Sequence, residues 1–177
     1  MATWSHDELD QAFRTYWRTG ACGEDWDAWA DLFTEDCTYF EHYYGTMRGR
    51  ETVRAWIKPI MEKYREIYTA YEWHVVDVER GRVVFYMQNR RDHPGRPGET
   101  FDFPGVSVLD YAGGGKWKRE EDYWAWKGRE TAMQAYEAAC REFDPAHPAK
   151  GTRWNWGTGP AWTRGAASYA ERITLRR

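Results

Sequence analysis

The sequence contains no apolar run that approaches the roughly 20 residues required by a membrane-spanning helix. Residues 1–9 show no positively charged stretch followed by an apolar one, so we expect no secretory signal peptide. The three cysteines, Cys22, Cys37 and Cys140, are widely spaced and odd in number, which favours reduced thiols over disulfides or a paired-thiolate zinc site. We therefore expect a cytoplasmic protein without a membrane partner.

An excess of positive charge is also missing, because the formal net charge is −3. A protein that binds nucleic acid normally presents a basic face to the phosphates. Two local basic clusters exist, at Arg90 and Arg91 and at residues 116–119, and the second is followed directly by acidic residues 120–122 that neutralise it. We expect both clusters to form solvated surface, and we expect no nucleic-acid partner.

Signatures of metal or cofactor sites are absent from the sequence as well. The five histidines include no pair at metal-ligand spacing. Ser107 lies in no nucleophile-elbow motif. The glycines at 113–115 lack the lysine and the helix start that a phosphate-binding loop needs. We therefore expect neither a metal nor a cofactor.

Aromatic residues, by contrast, are abundant, since the 177 residues include 12 tryptophans and 12 tyrosines. Their side chains bury large areas while keeping a polar atom that needs a partner. Such a surplus is typical of a pocket that holds a ring-containing ligand. A core and a dimer interface rich in aromatics would use the same residues, and composition alone does not separate the two.

Hydrophobic spacing predicts helices in the first part of the chain. Ser5 followed by Glu8 has the form of a capping box, and an apolar stripe at helical spacing follows it. The next predicted elements are a short helix, a strand, a turn bracketed by glycines and a long helix, at 26–33, 37–44, 45–49 and 51–68.

From position 69 onward the hydrophobic period changes to two, which is typical of strands. We predict an antiparallel meander and a final helix, at 71–79, 82–91, 100–111, 117–126 and 129–143. Helices on one face of such a sheet predict an α+β domain over residues 1–145, and a strongly bent sheet would enclose a cavity. We expect the extension at 146–177 to pack on the domain or on a partner subunit, because its Trp154, Trp156 and Trp162 would be unfavourable if exposed.

Three phrases of the sequence carry a family resemblance. A Leu-Phe-x-x-Asp phrase at 32–36, a Gly-Arg-Glu phrase at 49–51 and the segment 107–111 before a glycine-rich turn resemble the SnoaL-like branch of the nuclear transport factor 2-like superfamily. The resemblance covers roughly residues 5–126. It implies a cone-shaped α+β barrel, in which a curved antiparallel sheet wraps around N-terminal helices and encloses one pocket, and it implies a homodimer formed through the outer face of the sheet.

This fold hosts isomerases, cyclases, dehydratases, epoxide hydrolases and non-enzymes, so the resemblance does not specify the reaction. Its well-known member ketosteroid isomerase combines a carboxylate base, a helix tyrosine and a protonated aspartate. By motif position the resemblance implies that Glu41 is the base and Tyr16 the helix tyrosine. Ser107 stands where the protonated aspartate would be. Because a serine hydroxyl is a weaker electrophile, we do not expect the full ketosteroid-isomerase mechanism.

The strand at 37–44 carries the leading candidates for proton transfer. Alternation places Glu41 on one face with Tyr39 and Tyr43, and it places His42 on the opposite face. If the first face lines an apolar cavity, burial raises the pKa of Glu41 into a range useful for proton abstraction. A shift of one residue would instead place His42 inside, where it would be the acid or base. The sequence leaves both candidates open.

The remaining candidates are polar or aromatic residues of the predicted cavity wall. Tyr16 lies on the apolar stripe of the first helix, where its hydroxyl needs a partner from a ligand or from a strand. His74 and Asp102 are candidates for a second polar group, although such residues of an alternating strand often face solvent. The residues expected to bind substrate are Tyr39, Tyr43, Trp56, Ser107, Asp102, His74 and Tyr123.

The leading hypothesis is therefore a cofactor-independent acid–base enzyme, a lyase, isomerase or cyclase. Its substrate would be a small, largely apolar molecule that bears a ring or resembles a polyketide. Glu41 or His42 would move a proton while Tyr16 and Ser107 polarise a ligand oxygen. The alternative is a non-catalytic dimer that binds a small apolar ligand, and a third possibility is an assembly domain whose outer sheet face is its purpose.

Overall fold

The computed structural model describes residues 4–146, so the predicted packing of the tryptophans after position 150 lies outside the described residues. The chain begins with two helices and ends, within this range, with a long one. Its elements in order are α1 (His6–Trp17), a π-helical turn (Arg18–Cys22), α2 (Trp26–Ala30), β1 (Phe33–Glu41), β2 (Gly45–Arg48), α3 (Arg50–Lys63), β3 (Tyr68–Asp77), β4 (Arg82–Asp92), β5 (Thr100–Gly113), β6 (Lys116–Trp124) and α4 (Trp126–Phe143).

The first helix forms as its sequence predicts. The hydroxyl of Ser5 accepts a hydrogen bond of 3.1 Å from the backbone N–H of Glu8, which satisfies one of the free donors at the helix start. The apolar stripe of the helix, which includes Leu9, Phe13 and Trp17, is buried against the sheet. This face supplies much of the hydrophobic core.

The six strands form one sheet in the order β2-β1-β6-β5-β4-β3. All neighbouring strands are antiparallel except β1 and β6, which run parallel. The sheet is curved and does not close, and the helices α1 to α3 pack on its concave face. The predicted α+β fold with a curved sheet around N-terminal helices is thereby confirmed.

Two predicted boundaries are wrong. The segment between Gly45 and Gly49 is not a simple turn, because β2 pairs with β1 in the registers Tyr39–Met47 and Phe40–Thr46. Met47 is buried, which explains why this short segment is extended. The long helix ends at residue 63, earlier than its apolar stripe predicts, since the following residues lead into β3.

A bulge in β6 decides which of its side chains face the helices. Opposite Asp110 and Tyr111 of β5 lie Arg119 and Trp117 of β6, so Lys118 is an extra residue without a partner in the ladder. A bulge of this kind shifts the alternation by one position. Trp117 faces inward before the bulge, and the even-numbered residues 120, 122 and 124 line the concave side after it.

The last helix, α4, closes one end of the concave face. Its Tyr136 packs edge-on against Phe101 of β5, with ring centroids 6.0 Å apart. A Cβ on Gly128 would lie 3.8 Å from the Cβ of Phe103, which shows how near the helix start lies to the same strand. The helix therefore packs on β5, and Arg129 near its start lines the concave side of the sheet.

The tightly packed inner face of β5 gives a direct test of this core. Leu109 is fully buried, so Leu109→Ala should lower the free energy of unfolding by about 2–5 kcal/mol through lost burial and a residual cavity. Gln134 lies on the exposed side of α4, and Gln134→Ala should change the free energy of unfolding by less than about 0.5 kcal/mol. Urea denaturation of both variants measures the difference, and equal effects would contradict the assigned burial of Leu109.

Candidate functional site

The concave face of the sheet and the three N-terminal helices enclose a cavity of about 210 Å³. This volume lies below the range of about 300–1,000 Å³ that is usual for ligand pockets, so the cavity suits a small molecule. Aromatic and aliphatic side chains form most of its wall. Its polar and ionisable lining residues are Tyr16, Tyr39, Glu41, Tyr43, Tyr44, Tyr64, Thr69, Asn89, Ser107, Glu120, Asp122 and Arg129.

Strand register places the polar groups of this wall side by side. Ser107 of β5 lies opposite Asp122 of β6, and Asp122 lies opposite Glu41 of β1. In the next inward row, Glu120 of β6 lies opposite Tyr39 of β1. Neighbouring residues on one face of a sheet have Cβ atoms about 5 Å apart. Three carboxyl groups from two strands therefore share one region of the cavity wall.

Asp122 and Glu120 form the centre of this group. Ser107 donates a hydrogen bond of 2.5 Å to Oδ1 of Asp122, and Tyr39 donates one of 2.5 Å to its Oδ2. Tyr16 donates a hydrogen bond of 2.6 Å to Oε1 of Glu120, which also lies 3.3 Å from the hydroxyl of Tyr39. Hydroxyl groups from α1, β1 and β5 thus hold two carboxyl groups of β6.

Burial changes the acidity of both carboxyl groups. Desolvation raises the pKa of Asp122 from 3.8 to about 6, although hydrogen bonds from Ser107 and Tyr39 oppose the rise. Desolvation, followed by the negative charge of Asp122, raises the pKa of Glu120 well above its usual value. Burial therefore favours the protonated form of Glu120, while Asp122 ionises close to neutral pH.

The two carboxyl groups act on each other as a pair that holds one proton. The contact between their side chains raises the pKa of Glu120 and lowers the pKa of Asp122, which favours the proton on Glu120. Oε2 of Glu120 is buried and receives no hydrogen bond from an N–H or O–H group of the described residues. An oxygen that carries the acid proton needs an acceptor instead of a donor.

The two tyrosines remain neutral donors. Burial, followed by the negative charge of Glu120, raises the pKa of Tyr16 well above 10. Burial, followed by the charge of Asp122, does the same for the pKa of Tyr39. Both hydroxyl groups are therefore protonated throughout the neutral range, and they fix the positions of the carboxyl oxygens.

Glu41 lines the same cavity but has a different environment. It is only 4 % exposed. Its Oε2 accepts hydrogen bonds from the backbone N–H groups of Tyr43 and Tyr44, at 2.7 and 2.6 Å, and its Oε1 accepts one from the indole N–H of Trp124. The first two hydrogen bonds tie Glu41 to the turn between β1 and β2, and the third ties it to β6. The carboxylate of Glu41 is thus a fixed element of the cavity wall.

His42 lies on the outer face of the sheet, as the alternation of β1 without a shift predicts. Its Nε2 is 3.1 Å from Oε1 of Glu121, and its ring packs on Tyr123 at a centroid distance of 4.3 Å. Tyr123, which the sequence placed at the cavity, also lies outside. Alternation counted from Trp117 predicts that Tyr123 faces inward, and the extra residue Lys118 reverses this.

His74 and Asp102 are not among the residues that line the cavity. The ring of His74 lies between Tyr71, whose hydroxyl is 2.7 Å from Nδ1, and Asp10, whose Oδ1 is 2.8 Å from Nε2. Asp102 accepts a hydrogen bond of 2.9 Å from Arg90. Both residues therefore take part in polar networks elsewhere on the domain.

The prediction of solvated surface is wrong for the first basic cluster. Arg90 and Arg91 are 1 % and 2 % exposed, because they pair with Asp102 and with Glu66, the second at 3.1 Å. In the other cluster, Lys118 is exposed and Arg119 pairs with Glu121, as the prediction requires. Glu120, however, is 1 % exposed and is not a counter-charge on the surface.

Sequence reasoning thus missed Glu120 and Asp122, the two central groups of the site. A signal was available, since residues 120, 122 and 124 alternate with 121 and 123 on a strand that ends in tryptophan. The neighbouring lysines and arginine masked it, because a mixed run of charges is usually solvated.

An arc of five aromatic side chains surrounds Glu41 at the cavity wall. Trp56 contacts Tyr39 and Tyr44, with ring centroids 5.1 and 5.7 Å apart. Tyr44 contacts Tyr43 at 4.9 Å, and Tyr43 contacts Trp124 at 6.0 Å. All five line the cavity. We refer to these five residues as the aromatic arc.

Among residues 4–146, no group of three or more histidine, cysteine, aspartate or glutamate side chains is arranged to hold a metal ion. None of the helices in this range is both long enough and apolar enough to span a bilayer.

The raised pKa of Asp122 predicts an unusual dependence of stability on pH. Because the folded protein binds this proton more tightly than the unfolded chain, the free energy of unfolding should fall as pH rises from about 4 to about 6, by up to about 3 kcal/mol. Asp122→Asn removes this contribution, so its stability relative to the parent protein should be greater at pH 7.5 than at pH 4.5. Urea denaturation at the two pH values measures the change.

Glu121→Gln is the matched control, because Glu121 neighbours Asp122 but faces the outer side of the sheet. The difference in the free energy of unfolding between Glu121→Gln and the parent protein should not increase from pH 4.5 to pH 7.5 in the same way. If Asp122→Asn loses stability relative to the parent protein as pH rises, the assigned burial of this carboxyl group is wrong.

Comparison with known proteins supports the fold. The model of the family described as SnoaL-like domain matches residues 11–120. No curated protein matches the sequence. Among solved structures, a hypothetical protein with a ketosteroid isomerase-like fold from Catenulispora acidiphila, in complex with trimethylamine, is 22 % identical with a TM-score of 0.54 and covers 70 % of this chain and 90 % of its own.

Two further structures are enzymes. An epoxide hydrolase of M. tuberculosis is 13 % identical with a TM-score of 0.61, covering 77 % of this chain and 96 % of its own. An epoxide hydrolase/cyclase-like enzyme of pyran ring formation in the polyether salinomycin is 16 % identical with a TM-score of 0.58, covering 70 % and 95 %. Since the family model spans more than half of the sequence, the chain belongs to the SnoaL-like domain family.

Proposed function

We propose that this protein is a cofactor-independent acid–base enzyme, a lyase, isomerase or cyclase, that acts on a small and largely apolar molecule. The observation that carries the proposal is the pair formed by Asp122 and Glu120 in the cavity wall. A carboxyl group with a pKa of about 6 is partly ionised near neutral pH, where it can both accept and return a proton. Enzymes among the structural neighbours support the same general role.

In this proposal Asp122 is the base, a role that the sequence left open between Glu41 and His42. Each oxygen of Asp122 already accepts one hydrogen bond, from Ser107 or from Tyr39, and keeps a second lone pair. A substrate C–H or O–H proton moves to one of these lone pairs. The proton then returns to another substrate atom in an isomerase, to the leaving-group oxygen in a lyase, or to the oxygen that becomes an alkoxide as the ring closes in a cyclase.

Glu120 supports this step as a neutral acid. Its proton, directed at Asp122, offsets part of the cost of an ionised Asp122 in a buried site, and Tyr16 holds the same carboxyl group in place. A donor for a developing substrate oxygen is also present. The indole N–H of Trp56 is buried at the cavity and has no hydrogen-bond partner among residues 4–146.

The alternative is a non-catalytic protein that binds a small molecule. It would use the same cavity without needing Asp122 to ionise. The two functions differ in one measurable respect, because the enzyme loses turnover when Asp122 is replaced, while a carrier has no turnover to lose.

We also propose that two copies pair through the outer face of the sheet. Trp73 and Val75 are 48 % and 55 % exposed on this face, and Trp73 stacks on Tyr86 with ring centroids 5.4 Å apart. Burial of such side chains in a dimer would stabilise it.

Substitution on this outer face tests the dimer. Val75→Glu places a charge among the apolar side chains, and sedimentation velocity should show a larger monomer fraction than for the parent protein. Glu35→Gln, at a fully solvated position of β1, should leave the sedimentation coefficient unchanged. A parent protein that is monomeric at high concentration would contradict the proposal.

Proton transfer by Asp122 can be measured without knowing the natural substrate. Small cyclic ketones in D₂O exchange the protons next to the carbonyl group, and NMR follows the rate. We expect the protein to accelerate this exchange, with a rate that rises as pH increases through about 6, because Asp122 must be ionised. Asp122→Asn should lower the rate by about 100-fold or more.

Two variants complete the test. Glu121→Gln, on the outer side of the same strand, should exchange like the parent protein. Glu41→Gln should retain far more activity than Asp122→Asn, because the oxygens of Glu41 are held by two backbone N–H groups of the turn and by the indole N–H of Trp124. Equal rates for Asp122→Asn and the parent protein would exclude Asp122 as the base. Retention of a small molecule without any exchange would favour the carrier.

A further inference from the structure

The charges of the cavity wall are unbalanced. Glu41 accepts three N–H hydrogen bonds, and Asp122 and Glu120 lie beside it in the same wall, so the described lining residues include three acidic side chains. Arg129 is the only cationic side chain among them. Its guanidinium lies 5.9 Å from the ring centre of Trp124 and 5.3 Å from that of Trp126, where it stacks on the rings.

Buried negative charge of this kind is unfavourable unless a positive charge approaches it. N–H and O–H donors stabilise the oxygens of Glu41 and Asp122 but leave their net charge in place. The cavity is large enough for a ligand to supply the missing charge, and the described part of the chain directs no lysine or histidine into it.

The aromatic arc surrounds one of these carboxylates. Its five rings form an unbroken series of contacts from Tyr39 to Trp124, and Glu41 lies at its inner side, bonded to Trp124 and to the backbone of two of its tyrosines. The faces of tryptophan and tyrosine rings attract a cation within about 6 Å, and the attraction is greatest where water is excluded. Rings beside a carboxylate form a binding site for a bulky, weakly hydrated cation.

We propose that the ligand of this cavity carries a cationic nitrogen, a protonated tertiary amine or a quaternary ammonium group, held by the aromatic arc and Glu41. This inference rests on the proposed function only in taking the cavity as the ligand site. The remainder of the ligand is apolar and contacts residues such as Ile57, Phe85 and Met87. An oxygen on the ligand would accept the unpartnered N–H of Trp56.

A pair of probes with the same shape separates charge from size. Choline and 3,3-dimethylbutan-1-ol differ in one atom, a quaternary nitrogen in place of a carbon. We expect choline to bind at least about tenfold more tightly to the full-length protein, as measured by calorimetry and by quenching of tryptophan fluorescence. Equal affinities, or tighter binding of the neutral alcohol, would overturn the proposal. Failure of both probes to bind would overturn it as well.

Substitutions identify the groups responsible. Glu41→Gln should reduce the affinity for choline about tenfold while leaving that for the alcohol nearly unchanged, and Glu35→Gln, an exposed carboxylate of the same strand, should change neither. Because Glu41→Gln weakens the turn that Glu41 anchors, Trp56→Leu is a second variant, which should lower choline affinity while retaining the apolar wall. A preference for choline that survives both Glu41→Gln and Trp56→Leu would contradict the assigned site.

The choline experiment and the ketone-exchange experiment test the two proposals separately. If ketone exchange depends on Asp122 but choline shows no preference, the acid–base proposal stands and the cationic ligand is excluded. If choline is preferred but no exchange occurs, the cavity binds a cation and the catalytic role falls.

Discussion

The buried pair of carboxyl groups of Asp122 and Glu120 is the constraint on which the site depends. Two carboxyl groups in an apolar interior are unfavourable unless they share a proton and receive hydrogen bonds. Tyr16, Tyr39 and Ser107 supply those bonds from a helix and two other strands. The pair therefore links α1, β1, β5 and β6 at one point, and the cavity has its polar centre where these elements meet.

A single extra residue determines that this pair is inside. Without the bulge at Lys118, strand alternation would place Glu121 and Tyr123 on the concave face and turn Glu120 and Asp122 toward the outer side. The same residues form the strand in both registers, so strand propensity does not distinguish between them. Tertiary contacts determine the register. Trp117 is buried in the core before the bulge, and tyrosine hydroxyl groups donate hydrogen bonds to the carboxyl groups after it.

The bulge explains why the sequence predicts some parts of the fold and the site and not others. The stripe of α1, the alternation of β1 and the antiparallel meander depend on local periodicity, and they place Tyr16, Tyr39 and Glu41 at the cavity as expected. The position of Asp122 depends on a bulge that periodicity does not contain. The burial of Arg90 similarly depends on Asp102, a partner on another strand that is distant in sequence.

The same constraint connects stability with function. A carboxyl group whose pKa is raised by burial destabilises the folded protein when it ionises, so the site is least stable in the state that accepts a proton. Hydrogen bonds relieve this only in part, because the donors around Glu41 and Asp122 leave net negative charge behind. A ligand that brings positive charge would bind most tightly to this ionised state. Ligand binding and ionisation of Asp122 would then favour each other, because a group that binds one state preferentially shifts the equilibrium toward it.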